Sequence, residues 1–289
     1  YQLSFKFRPF VFSPKAINRK RLVLSKPGDD SQIDWQSLLK SGNRIFIGSN
    51  AAVPNALVQD LIDSEHKLRD IEVVHILTLS DNIWAKPDHK ELFKVKALFI
   101  GGKNVREAIA EGRADYTPCF LSEIPSLFED NVLPLDAALV MVSPPDEYGY
   151  CSLGVSVDVV LAAVKHAKYV VAQVNTKMPR TNGQSFIHVN QITAWMKQAQ
   201  ALPELPPTQY DKVTEQIGQY VSLLVDDGST LQLGIGKIPD AVLRYLCNHK
   251  DLGIHSEMIS DGIIDLMTTG VINNRHKTYY PGKTVTSCC

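Results

Sequence analysis

From Gly42 onward, apolar runs of strand length alternate with segments whose apolar residues recur at helical spacing, and this rhythm confines the chain to one class of fold. RIFIG (Arg44–Gly48) reads as a buried strand. Pro54 then opens a helix through Leu68, with apolar positions at Leu57, Val58, Leu61 and Ile62. IEVVHILTL (Ile71–Leu79) is the next strand, and ALFIGG (Ala97–Gly102) runs into a helix, Val105–Glu111, that Gly112 ends. DAALVMVSPPD is a strand stopped by two prolines, VDVVLAAVKHA a helix, and YVVAQVN a strand. Strands separated by helices of this length imply a parallel, doubly wound α/β sheet with right-handed crossovers.

The texture breaks after Ala201. Leu202–Asp211 carries Pro203, Pro206 and Pro207, so it is extended and joins neither neighbouring helix. It serves as a boundary between an α/β domain over 34–201 and a second α/β unit over 212–289, with 202–211 as linker. In the second unit the rhythm restarts: a helix near Val213–Val225, the strand TLQLGIG, a helix from Pro239 to His249, the strand LGIHSEM, and a helix from Gly262.

A length of 289 residues suits two such units. The net charge of -1 supplies no general attraction to nucleic acid or an anionic membrane, and points to a small-molecule ligand. No apolar run approaches the roughly 20 residues of a membrane span. The five cysteines are scattered without CxxC or Cys/His spacing, and Cys288–Cys289 has no ligands nearby, so a reducing compartment is expected and no metal. Residues 1–33 are expected to be a disordered basic tail. Before Asp29 they hold seven basic side chains and no acidic one. That composition leaves the cytoplasm as the expected location, or an organelle matrix if the tail is a transit peptide.

Chemistry concentrates after the linker. GSTLQLGIGKIPDAVL sets a strand, a Gly-x-Gly turn (Gly234, Gly236) and a helix in succession, which points free amides at a docking anion. Pro239 stands where a dinucleotide fingerprint needs its third glycine, and GK[ST] is absent, so the turn is neither of the common phosphate loops. A plain glycine turn reads equally well. In DLGIHSEMISDG an apolar strand runs into His255, Ser256 and Glu257. A carboxylate there lies in the crevice where α/β sheets bind ligands, and serves as nucleophile, general base or structural acid. His255 and Ser256 point to opposite faces, against a hydrolase pair. Two proline- and glycine-containing loops, SPPDEYGYCSLG and MPRTNGQSFIHV, follow strands of the first unit. Arg180 in the second is either a carboxylate partner or a solvated charge.

In chain order SPPDEYGYCSLG, MPRTNGQSFIHV, GSTLQLGIGKIPDAVL and LGIHSEMISDG resemble the acetyl-CoA hydrolase/transferase family, most closely its 4-hydroxybutyrate and butyrate:acetate CoA-transferases. The likeness runs from about Asp34 to Ser287. It implies two related doubly wound parallel-sheet domains with the active site between them. It also implies a CoA-transferase acting on a short-chain acyl-CoA (4-hydroxybutyryl-, butyryl- or acetyl-CoA) and a carboxylic acid such as acetate, with self-association of the full-length form. Glu257 would be the nucleophile that carries coenzyme A as a thioester. Gly234, Ile235, Gly236, Lys237 and Ile238 would hold coenzyme A. Coenzyme A is then a substrate, and no permanently bound cofactor is expected. Family members continue beyond the point matching TVTSCC into a second glycine-rich loop, so the second domain is expected to be truncated. Three rivals remain: an acetyl-CoA hydrolase using the same glutamate, a nucleotide oxidoreductase, which the failed fingerprint disfavours, and an inactive fragment or scaffold.

Overall fold

A computed structural model describes residues 33–64, 67–204 and 209–289. The basic tail, apart from Ile33, and the centre of the proline-rich linker lie outside the described residues. In chain order the first unit contains α1 (Trp35–Leu38), β1 (Arg44–Ile47), α2 (Asn55–Asp63), β2 (Ile71–His75), β3 (Phe93–Ala97), α3 (Lys103–Ala110), β4 (Ala114–Tyr116), α4 (Ile124–Glu129), β5 (Ala137–Val142), β6 (Tyr150–Ser152), α5 (Val160–His166), β7 (Tyr169–Val174), β8 (Phe186–His188) and β9 (Ala194–Lys197). The second contains α6 (Lys212–Ser222), β10 (Thr230–Leu231), α7 (Lys237–Tyr245), β11 (Gly253–Met258), α8 (Gly262–Thr268) and β12 (Val285–Cys288).

Seven parallel strands form the first sheet in the order β4-β3-β2-β1-β5-β7-β9. Every residue of β5 is buried, as a strand covered on both faces requires. Its alternate side chains feed two cores. Leu139 joins Ile45, Ile47 and the α2 residues Leu57, Val58 and Leu61, while Ala138, Val140 and Val142 join Phe46, Phe128 and the α5 residues Val160, Ala163 and Val164. Strand order reverses between β1 and β5, which opens a crevice at their C-terminal ends.

The expected helix through Leu68 ends at Asp63, and the strand expected to reach Leu79 pairs only to His75, with one further bridge from Thr78 to Asn50. Before α3 the strand is Phe93–Ala97, so Ala97–Gly102 is mainly its exit loop. Asp146 and Arg180, from the two loops singled out in the sequence, meet at 2.6 Å beside the antiparallel pair β6–β8. Arg180 also donates to the Tyr150 carbonyl and lies over the Phe186 ring, so this exposed guanidinium is a carboxylate partner, engaged by groups of its own chain. The Tyr150 amide above all, with the Tyr148 amide and Arg180, holds the Asp146 carboxyl below its ordinary range.

β10, β11 and β12 form a second parallel sheet in that order. α7 and α8 cover one face, packing Val242, Leu243, Leu246, Ile263 and Leu266 on Leu252 and Ile254. α6 docks on α7 through Thr214, Gly218 and Ser222, small side chains at i, i+4 and i+8. A Cβ on Gly218 would stand 2.9 Å from the Ala241 carbonyl carbon, so glycine lets the two backbones touch. β12 ties the sheets together: Ser156 bridges Cys288, Val157 N–H donates to Ser287 O, and Cys289 N–H donates to Val155 O.

Candidate active site

Along β11, Ile254 and Ser256 are buried toward the helices, and His255 and Glu257 are exposed on the other face. The adjacent strand β10 ends after two residues, because Ser256 takes over its pairing. Ser256 Oγ accepts from the Leu233 amide at 3.0 Å and donates to the Leu233 carbonyl at 2.9 Å. One hydroxyl thus pins the glycine turn beside the end of β11. The result is a cleft of about 430 Å³ lined by Gln232, Leu233, Gly234, Ile235, Glu257 and Met258.

The backbone of Glu257 is held from β12. Its carbonyl accepts from Thr286 Oγ1 at 3.0 Å, Ser287 Oγ at 2.8 Å and Cys288 Sγ at 3.5 Å. No described residue hydrogen-bonds or ion-pairs with its carboxylate, so the structural-acid role has no partner here. Gly236 closes the turn at φ +112°, a backbone that disfavours any residue with a Cβ, and α7 begins at Lys237. Pro239 therefore lies inside the first turn of α7, where a missing N–H costs nothing. Of the turn residues named from sequence, Gly234 and Ile235 line the cleft with Glu257. Gly236, Lys237 and Ile238 are exposed at the start of α7 and do not line it.

Sequence reasoning missed a polar cluster at the strand-order reversal of the first sheet. Asp158 Oδ2 accepts from Ser49 Oγ at 2.5 Å, Ser156 Oγ at 2.8 Å and Asn50 Nδ2 at 3.0 Å. The Asn50 side-chain oxygen is buried with no partner among the described residues. Its signal was GSN directly after an apolar strand, an arrangement that needs φ > 0 and suits asparagine. Cys288 lies between this cluster and Glu257. Burial first, with the Asp158 and Glu257 carboxylates adding, pushes its thiol up to about 12, so it is inert as a nucleophile. The described residues contain no His/Cys/Asp/Glu group placed to hold a metal, and no helix long and apolar enough to cross a membrane.

Residues 31–248 match the acetyl-CoA hydrolase/transferase N-terminal domain. The chain belongs to the acetyl-CoA hydrolase/transferase family. Within curated proteins it is similar to 4-hydroxybutyrate coenzyme A transferase of Clostridium kluyveri, 47% identical over 86% of this chain and 58% of that protein. It is also similar to succinyl-CoA:acetate/propanoyl-CoA:succinate CoA transferase of Fasciola hepatica, 47% identical over 86% of this chain and 52% of that one. Among solved structures, 4-hydroxybutyrate CoA-transferase from Porphyromonas gingivalis superposes with a TM-score of 0.75 at 38% identity, covering 88% of this chain and 59% of that one. The chain thus spans between half and two thirds of the length of these relatives. The family match includes the glycine turn and ends before Glu257.

Proposed function

We propose that the protein moves coenzyme A between a short-chain acyl-CoA and a carboxylic acid such as acetate, with Glu257 as nucleophile. The Glu257 carboxylate attacks the thioester carbonyl and expels coenzyme A thiolate, leaving an acyl-glutamyl anhydride. The thiolate attacks the glutamyl carbonyl, which releases the first carboxylate and leaves a glutamyl-CoA thioester. The acceptor carboxylate then reverses both steps. A carboxylate is a weak nucleophile, so the rate rests on placement and on amides facing each oxyanion. The Gly234–Lys237 turn supplies one such set in this reading.

The observation that carries the proposal is an exposed carboxylate without a partner, at the end of a parallel strand whose backbone is fixed from both neighbouring segments. The names of the relatives support 4-hydroxybutyryl, succinyl and acetyl groups as the substrates to try first. The test is acyl-CoA:acetate exchange by the wild type and by Glu257→Gln. An amide cannot form the anhydride, so exchange should fall by about 10³-fold or more. Exchange by the Gln variant near the wild-type rate would remove Glu257 from the chemistry.

A further inference from the structure

β11 presents Gly253, His255 and Glu257 on the face that α7 and α8 leave open, and the loop before β12 tiles that face row by row. The Lys277 stem crosses Gly253 so closely that a Cβ there would stand 2.6 Å from Lys277 Cγ. One row on, the Tyr279 ring stacks on His255, with centroids 5.7 Å and planes 26° apart. The next row is Glu257, which stays exposed. Tyr280 packs edge-on against Tyr279 at 4.4 Å, from a left-handed backbone at φ 52°.

The loop is firmly held. Buried Lys277 donates through Nζ to the Ile254 and Lys283 carbonyls, each at 2.6 Å, and Asn274 Oδ1 accepts from the Ile254 amide at 2.8 Å. Tyr279 nevertheless leaves 60% of its surface facing water. Positions two apart on a strand lie about 7 Å from each other. That distance is the reach of a short acyl chain, and far less than the pantetheine arm separating the thiol of coenzyme A from its adenine. The glycine turn offers amides, suited to the thioester oxygen and sulfur. Tyr279 and His255 offer ring surface, suited to methylenes.

We infer that Tyr279, seated on His255, is the wall against which the substrate's acyl chain packs, and that it sets preference for chains longer than acetyl. The inference rests on the transferase reading of Glu257. The experiment uses a Glu257→Gln background, so that only binding is measured, and calorimetric titration with free coenzyme A, acetyl-CoA, butyryl-CoA and hexanoyl-CoA. Butyryl-CoA should bind about fivefold or more tighter than acetyl-CoA. Adding Tyr279→Ala should bring that ratio to within about twofold while leaving affinity for free coenzyme A within about twofold. Tyr279→Phe should keep the ratio, since the ring and not the hydroxyl makes the wall. A ratio that survives Tyr279→Ala, or collapses in Tyr279→Phe, overturns the inference and leaves the transferase reading intact. Should free coenzyme A not bind at all, both fall together.

Discussion

Ser256 satisfies the amide and the carbonyl of a residue 23 positions away, and removing its hydroxyl orphans both. Ser256→Ala should therefore cost about 1–3 kcal/mol in denaturant unfolding, and should weaken coenzyme A binding by letting the turn drift from Glu257. Equal stability and equal affinity would mean that the turn holds its place unaided. His75 gives a prediction in pH. Burial lowers its pKa from 6.5 to about 4, with its hydrogen bond to the Ile76 carbonyl opposing. The unfolded chain therefore binds the proton first between those values. Stability from this group is complete above pH 6.5 and is lost as pH falls toward 4, by about 3 kcal/mol in all. His75→Gln should flatten the stability–pH curve in that window. The place of Glu257 near the end of a strand was legible because an apolar run leads into it. The role of Ser256 was not, since its partner Leu233 lies across the sheet and no local pattern records the pairing.

At the scale of elements, the glycine turn separates conformation from contact. Gly236 has φ +112° and open space around a built Cβ, so Gly236→Val should lose about 1–3 kcal/mol of stability through backbone strain alone. Gly234 has ordinary backbone angles, and its Cβ would meet Pro239 Cγ at 3.4 Å, a tolerable contact. Gly234→Ala should thus keep the melting temperature near wild type and weaken coenzyme A binding by about tenfold, if ligand approaches this backbone. Gly218→Val should push α6 off α7 and destabilise by about 1–3 kcal/mol. The fully buried strand β5 was readable as a continuous apolar run, and β7, buried from Val170 to Val174, as one interrupted only by Gln173. β3 was not, because Lys94 and Lys96 alternate with its buried residues and shorten the apolar signal. The expected strand TLQLGIG shrinks to two residues because a side chain, Ser256, replaces the ladder beyond Leu231.

Across the whole molecule, the sequence rhythm located both parallel sheets, yet not how α6 is oriented. Its small residues face α7, and its large ones face water, with Val213 64% and Tyr220 66% exposed, and Leu224, just past its end, 83% exposed. A contiguous apolar stripe of this kind should bind a hydrophobic dye or drive self-association, and Tyr220→Lys with Leu224→Lys should abolish either. The packing of Gly218 on Ala241 decides this orientation, and helical periodicity alone carries no record of it. The tie between β12 and Val155–Val157 was equally hidden, since it joins segments about 130 positions apart along the chain. The central claim, that Glu257 is the covalent nucleophile, has a direct test. The protein is incubated with acyl-CoA, digested, and the peptide spanning β11 is weighed by mass spectrometry. A gain equal to coenzyme A on Glu257, less one water and absent from Glu257→Gln, is the result predicted. Turnover with Glu257 unmodified and coenzyme A attached elsewhere would contradict it.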